Sequence, residues 1–95
     1  MVILRIEHVV RDYESWKRAF DSDPVGREAG GVKGHRVLRP TDDPTYVVID
    51  LELDSAAEAD AFADRLRALW DRAGAELGLE RIALRVFEVV EAEVH

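Results

Sequence analysis

The run EHVVRDYESWKRAF (residues 7–20) sets a histidine five residues ahead of an aromatic stripe. His8 is the first candidate for chemistry. An imidazole can take a proton, give one, or orient a phenol or carbonyl near physiological pH. Tyr13, Trp16, Ala19 and Phe20 recur at spacings of three and four, which is one face of a helix. Trp70 stands on a second stretch of the same period. Large flat side chains at the mouth of a cleft grip planar, apolar ligands. His8 is therefore the candidate catalytic residue, and Tyr13, Trp16, Tyr46 and Trp70 are candidate walls of a substrate pocket. Phe20 and Phe62 read as packing. The plainer reading of His8 is a core-edge histidine bonded to a backbone carbonyl. Arg39 is a candidate fork for a carboxylate on the ligand, with Arg27 as a second choice. Arg39 also has a plainer reading, a hairpin ion pair with Asp42 or Asp43.

Other chemistries find no support. The chain has no cysteine, which removes disulfides, thiolate nucleophiles and thiolate ligands. His8, His35 and His95 show no metal-ligand spacing, and Asp42-Asp43 alone is a turn signal. GGVKG (residues 30–34) lacks the Lys-Ser/Thr of a phosphate loop, and no Gly-x-Ser-x-Gly elbow occurs. No metal or cofactor is expected. The formal net charge is −7, so neither nucleic acid nor an anionic membrane surface is an expected partner. No apolar run approaches the roughly 18 residues of a membrane span. The N-terminus has no basic region before its apolar run and does not read as a signal peptide. The lack of cysteine suits a cytoplasmic protein.

The elements that must position these residues follow from two periodicities. Residues 2–10 alternate as a strand, with Val2, Leu4, Ile6, His8 and Val10 on one face and Ile3, Arg5, Glu7 and Val9 on the other. Asp12 caps a helix over 12–22, which ends where Asp23 precedes Pro24. The stretch 25–29 reads as a short helical turn, 33–39 as a strand and 40–44 as a turn. Residues 45–53 form the clearest strand, with Val47, Ile49, Leu51 and Leu53 opposite Tyr46, Val48, Asp50 and Glu52. A capping box, Ser55 to Glu58, opens an amphipathic helix over 55–73, which Gly74 or Gly78 can end. A last strand covers 81–92. The order β-α-β-β-α-β is the α+β, ferredoxin-like pattern, with a four-stranded antiparallel sheet and two helices on one face. At 95 residues, 47% of them apolar, this reads as one globular domain over 1–95.

Helices in such a fold cover one face of the sheet only. The other face carries Ile3, Val9, Tyr46, Val48, Phe87 and Val89 among Arg5, Glu7, Asp50, Glu52 and Arg85. That mixture is too apolar for water and too charged for a core. It predicts a homodimer that pairs sheet to sheet.

DYESWKRAFD, GVKGHRVLRPTDDP and the VVIDLEL strand together resemble the dimeric α/β-barrel superfamily, close to the antibiotic-biosynthesis monooxygenases and proteins loosely called cyclases. The resemblance runs from about residue 5 to residue 90. Its most specific parts are Asp12-Tyr13, Trp16-Lys17, Phe20, His35-Arg36, Arg39 and Asp42-Asp43-Pro44. It implies two ferredoxin-like protomers paired through their sheets, each with a pocket between helices and sheet. It also implies chemistry of the superfamily's range: quinone-forming oxygenation without cofactor, haem degradation, or polyketide cyclisation. Asn is absent from the chain, so any role that Asn plays in those enzymes has no counterpart. Two readings stand. One is a cofactor-free monooxygenase or cyclase for a small planar apolar substrate. The other is a ligand-binding or structural homodimer without chemistry.

Overall fold

Strict alternation in the first strand organises the molecule. In the computed structural model, which describes residues 1–74 and 78–95, β1 spans Val2–Val10. Every even residue of it is buried and every odd one is half-buried. α1 (Tyr13–Asp21), β2 (Gly34–Leu38), β3 (Tyr46–Leu53), α2 (Ala56–Ala73) and β4 (Leu79–Glu88) follow. The sheet order is β2-β3-β1-β4, and β1–β3, β1–β4 and β2–β3 all pair antiparallel. This is the ferredoxin-like βαββαβ arrangement that the periodicities predict.

The core lies between the sheet and the helices. Leu4, Val47, Leu51 and Leu53 of the sheet and Ala59, Phe62 and Ala63 of α2 are all 2% exposed or less. Both helices start as their caps dictate. The Asp12 carboxylate accepts from Ser15 N–H, and Ser55 Oγ accepts from Glu58 N–H at 3.2 Å. The second arm of the Ser55 box differs from the expectation. The Ser55 hydroxyl donates to Glu58 Oε1 at 3.3 Å.

The segment 25–29 keeps to a single helical turn, as expected, with Gly30 N–H bonding Gly26 C=O at 3.0 Å and with Gly26 at φ 76° and Gly31 at φ 95° bounding it. Both ends of β4 differ from the expectation. β4 begins at Leu79, two residues earlier than the expected 81, because Gly78 at φ 70° turns the chain early enough for Leu79 and Glu80 to face Val10 and Val9. It ends at Glu88, short of 92. Val89 N–H still bonds Met1 C=O at 3.2 Å, and residues 90–92 face no strand.

The β1–β4 register also breaks once. Glu7 faces Ala83 while Val9 faces Glu80, so an extra β4 residue bulges out opposite His8. Arg81 in that bulge has φ 53°, a left-handed conformation that costs a side chain such as arginine energy. Among the described residues, no helix is long and apolar enough to cross a membrane.

Candidate functional site

A cavity of about 210 Å³ lies between the helices and the sheet. Its floor is Ile6, His8, Ile49 and Leu51, and its walls include Phe62 and Leu66. Trp16 and Phe20 of α1 and Trp70 of α2 close it from the helix side. Ser22 to Val25 and Arg27 form one rim. The volume exceeds the ~150 Å³ of an apolar cavity that admits benzene. It falls below the ~300 Å³ at which pockets for drug-sized ligands begin. One or two aromatic rings match that space.

His8 is the polar group in the floor. Strand parity aims it at the helices, and it is 2% exposed. Its Nδ1 is buried and, among the described residues, has no hydrogen-bond partner. That departs from the plainer sequence reading, in which a carbonyl would satisfy the ring. Trp16 covers it, with ring centroids 5.5 Å apart. Burial disfavours the imidazolium and pulls the pKa of His8 down to about 4. This corrects the expectation of a base that titrates near neutral pH. At pH 7 the ring is neutral, and one face of a polar nitrogen looks into apolar surroundings. Leaving such a group unpaired costs about 1–3 kcal/mol. A ligand hydroxyl or carbonyl that reached it would recover part of that cost.

Aromatic contacts run along α1. Tyr13 sits 5.8 Å from Trp16, Trp16 stacks on Phe20 at 5.2 Å, and His35 of β2 meets Phe20 edge-on at 5.4 Å. Arg27 lies over Phe20 with Cζ 4.0 Å from the ring centroid, and its Nη1 donates to Phe20 C=O at 2.8 Å. The Tyr13–Trp16 and Trp16–Phe20 contacts follow from the i, i+3/i+4 spacing of α1, which stacks its aromatic side chains along one edge.

The structure thus gathers His8, Trp16 and Trp70 at one cavity and separates them from the other candidates. Tyr46 lies on the opposite face of the sheet, where its hydroxyl donates to Glu7 Oε1 at 2.7 Å. The expectation that it walls the same pocket is corrected by parity, because Tyr46 faces Val9 in the ladder, on the side away from His8. Arg39 is also away from the cavity. Its guanidinium covers Tyr13, 4.1 Å from the ring centroid, and among the described residues it makes no ion pair with Asp42 or Asp43. Tyr13 is consumed in that contact and serves as outer packing for Trp16. Phe20 and Phe62, expected as packing alone, line the cavity, and so does Arg27. The turn 22–31 that carries Arg27 has no period in its sequence to show which way it faces.

The open face holds a second buried polar group. Asp50 is 2% exposed and accepts two hydrogen bonds from Arg5, Nε at 2.7 Å and Nη2 at 2.8 Å. Arg36 stands 3.5 Å away. Hydrogen bonding to Arg5 lowers the Asp50 pKa below the usual carboxylate range. Phe87 nearby is 43% exposed, between the guanidinium groups of Arg5 and Arg85, each 5.9 Å from its ring. Among the described residues, no group of three or more His, Cys, Asp or Glu is placed to hold a metal ion.

No protein-family model matches the sequence. No curated protein matches it either. Solved structures do match, over nearly the whole chain. SnoaB, a cofactor-independent oxygenase from Streptomyces nogalater, superposes with a TM-score of 0.67 at 18% identity, covering 96% of this chain and 94% of that one. A mutant of MhuD with two manganese protoporphyrin IX bound per active site superposes with a TM-score of 0.70 at 17% identity, covering 98% and 99%. A dimeric ferredoxin-like protein from an uncultured marine organism gives 0.66 at 12% identity, covering 99% and 98%. This chain has the ferredoxin-like fold of the antibiotic-biosynthesis-monooxygenase and dimeric ferredoxin-like structures along nearly its full length.

Proposed function

We propose that two copies of this chain pair through their open sheet faces, and that each cavity takes a small planar hydroxyaromatic molecule for cofactor-free oxygenation or cyclisation. The observation that carries the reading is His8 in the apolar floor of the cavity, its Nδ1 buried and without a hydrogen-bond partner among the described residues. A neutral imidazole there accepts a phenol O–H, loads electron density onto the ring, and fixes its orientation beneath Trp16. SnoaB, of the same fold, is described as a cofactor-independent oxygenase, which agrees with this reading. Pairing is supported by Phe87 and Leu38, exposed at 43% and 38% on the uncovered face, and by relatives in fold that are described as dimeric.

The balanced reaction is a quinone-forming oxygenation. In 1-naphthol, the ring C–H para to the hydroxyl becomes a carbonyl. One oxygen atom of O₂ enters the product, 1,4-naphthoquinone, and the other leaves as water with the two hydrogens lost. A haem-type group does not fit. A protoporphyrin is larger than the drug-sized ligands whose pockets begin at ~300 Å³, and the cavity holds about 210 Å³. No step is routed through one.

A pKa of about 4 makes His8 a weak base toward a phenol. That observation favours a second reading, binding without turnover. The separating experiment is oxygen uptake with 1-naphthol and the purified protein, without added flavin or metal. The oxygenase reading expects a rate above buffer that His8→Leu lowers by about 10²-fold. Saturable binding of 1-naphthol with no oxygen uptake would leave the binding module as the answer. Absence of binding would overturn both.

A further inference from the structure

We infer that the ligand carries a carboxylate at its outer end and that Arg27 reads it. The inference rests on the proposed reading of the cavity and narrows its substrate class to hydroxyaromatic acids. The cavity has two chemically different ends. His8 lies in the floor and offers one neutral nitrogen. The rim, 22–27, contributes Ser22, Asp23 and Arg27. Among the described residues that line the cavity, Arg27 is the one cation, and its side chain is 19% exposed.

The guanidinium is held ready. Nη1 donates to Phe20 C=O at 2.8 Å, and the group stacks over the Phe20 ring at 4.0 Å. That bond uses one of five N–H donors. Among the described residues, Nε and Nη2 make no hydrogen bond. A planar fork fixed at its root and open at its outer edge matches a carboxylate, and little side-chain entropy remains to be lost on binding.

Asp23 is the competitor on the same rim. Its Oδ1 lies 3.7 Å from Arg27 Nη1, outside hydrogen-bond range, and accepts instead from the Arg27 backbone N–H at 2.9 Å. Asp23 holds φ at 53° and bonds Phe20 C=O through its own N–H at 3.1 Å. Asp23 therefore shapes the turn that presents Arg27 and leaves the outer donors of the fork unfilled.

The test compares 6-hydroxy-2-naphthoate with 6-hydroxy-2-naphthamide, by isothermal titration at pH 7.5. The two share ring and hydroxyl and differ in the charge at the outer end. The acid should bind the wild-type protein at least about 10-fold more tightly, as a hydrogen-bonded charge contact predicts. Arg27→Gln should bring the two affinities together, within about twofold, by weakening the acid and sparing the amide. Arg27→Lys should keep part of the difference, because it retains charge and loses the fork. Amide binding as tight as acid binding in the wild type overturns the inference and leaves the proposed function standing. A preference for the acid that survives Arg27→Gln overturns the assignment to Arg27. If neither compound binds, both the inference and the reading beneath it fall.

Discussion

One sheet buries two polar side chains, one on each face, and they are treated in opposite ways. Asp50 on the open face is held by two hydrogen bonds from Arg5, with Arg36 beside it. His8 on the helix-covered face is equally buried, and its Nδ1 has no partner among the described residues. A satisfied buried charge is an architectural device, since its partners account for its burial. An unsatisfied buried nitrogen at a cavity is the observation behind the ligand contact proposed for His8. The two pKa values carry the same message. Hydrogen bonds lower that of Asp50 and favour its charge. Desolvation lowers that of His8 and disfavours its charge.

The largest expected effect that sharpens this contrast is on stability against pH. His8 is neutral when folded down to pH about 4, whereas an unfolded imidazole protonates near 6.5. Between those values the unfolded chain binds the extra proton, so stability falls as pH drops from 6.5 toward 4. The size is about 3 kcal/mol. Asp50 acts in a separate window. Its contribution is full above the ordinary carboxylate pKa and is lost below it, as pH falls through its lowered folded value. Urea melts across pH 4–7 should show the decline in the wild type and a much flatter profile in His8→Leu. An unchanged decline in that variant would detach it from His8.

Next in size is Asp50→Ala. Removing the carboxylate strands Arg5 against the sheet, but Arg5 is 40% exposed and can turn to water. The loss should therefore fall below the 3–5 kcal/mol of a fully buried pair, at about 2 kcal/mol by urea melt at fixed protein concentration. Under the proposed sheet-to-sheet pairing, light scattering should show the variant shifted from dimer toward monomer, since Asp50 lies mid-face. His8→Leu measured alongside at pH 7 should lose little or gain slightly, because it removes an unpaired polar group. Equal losses from the two substitutions would erase the contrast between the faces. The smallest effect is Tyr46→Phe. The Tyr46–Glu7 hydrogen bond lies on the half-buried open face and should be worth about 0.5–1 kcal/mol in the same melts.

Much of this arrangement is legible in the residues. The unbroken alternation of β1 fixes which way His8 points, and the three/four spacing of Trp16 and Phe20 fixes their shared edge. Tyr46 shares its parity with Val48 and Asp50, so its own strand already places it away from His8. β4 is less legible because the bulge at Arg81 reverses its parity. Leu79, facing Val10, and Leu84, facing Ile6, both point to the helices although one is odd and one even. Whether His8 finds a partner is a question of three-dimensional packing, to which a one-dimensional period has no access. The same holds for Arg27, whose turn is set by glycine conformations and by the Asp23 backbone.

The most direct test of the central claim is the ring nitrogen itself. Long-range ¹H–¹⁵N correlation spectra of labelled protein at pH 7 resolve Nδ1 of His8 before and after 1-naphthol is added. The account predicts a saturable shift of Nδ1 to that of a hydrogen-bonded acceptor, with the ring still neutral and the exposed His35 and His95 unmoved. Saturable binding that leaves Nδ1 of His8 where it was would contradict it.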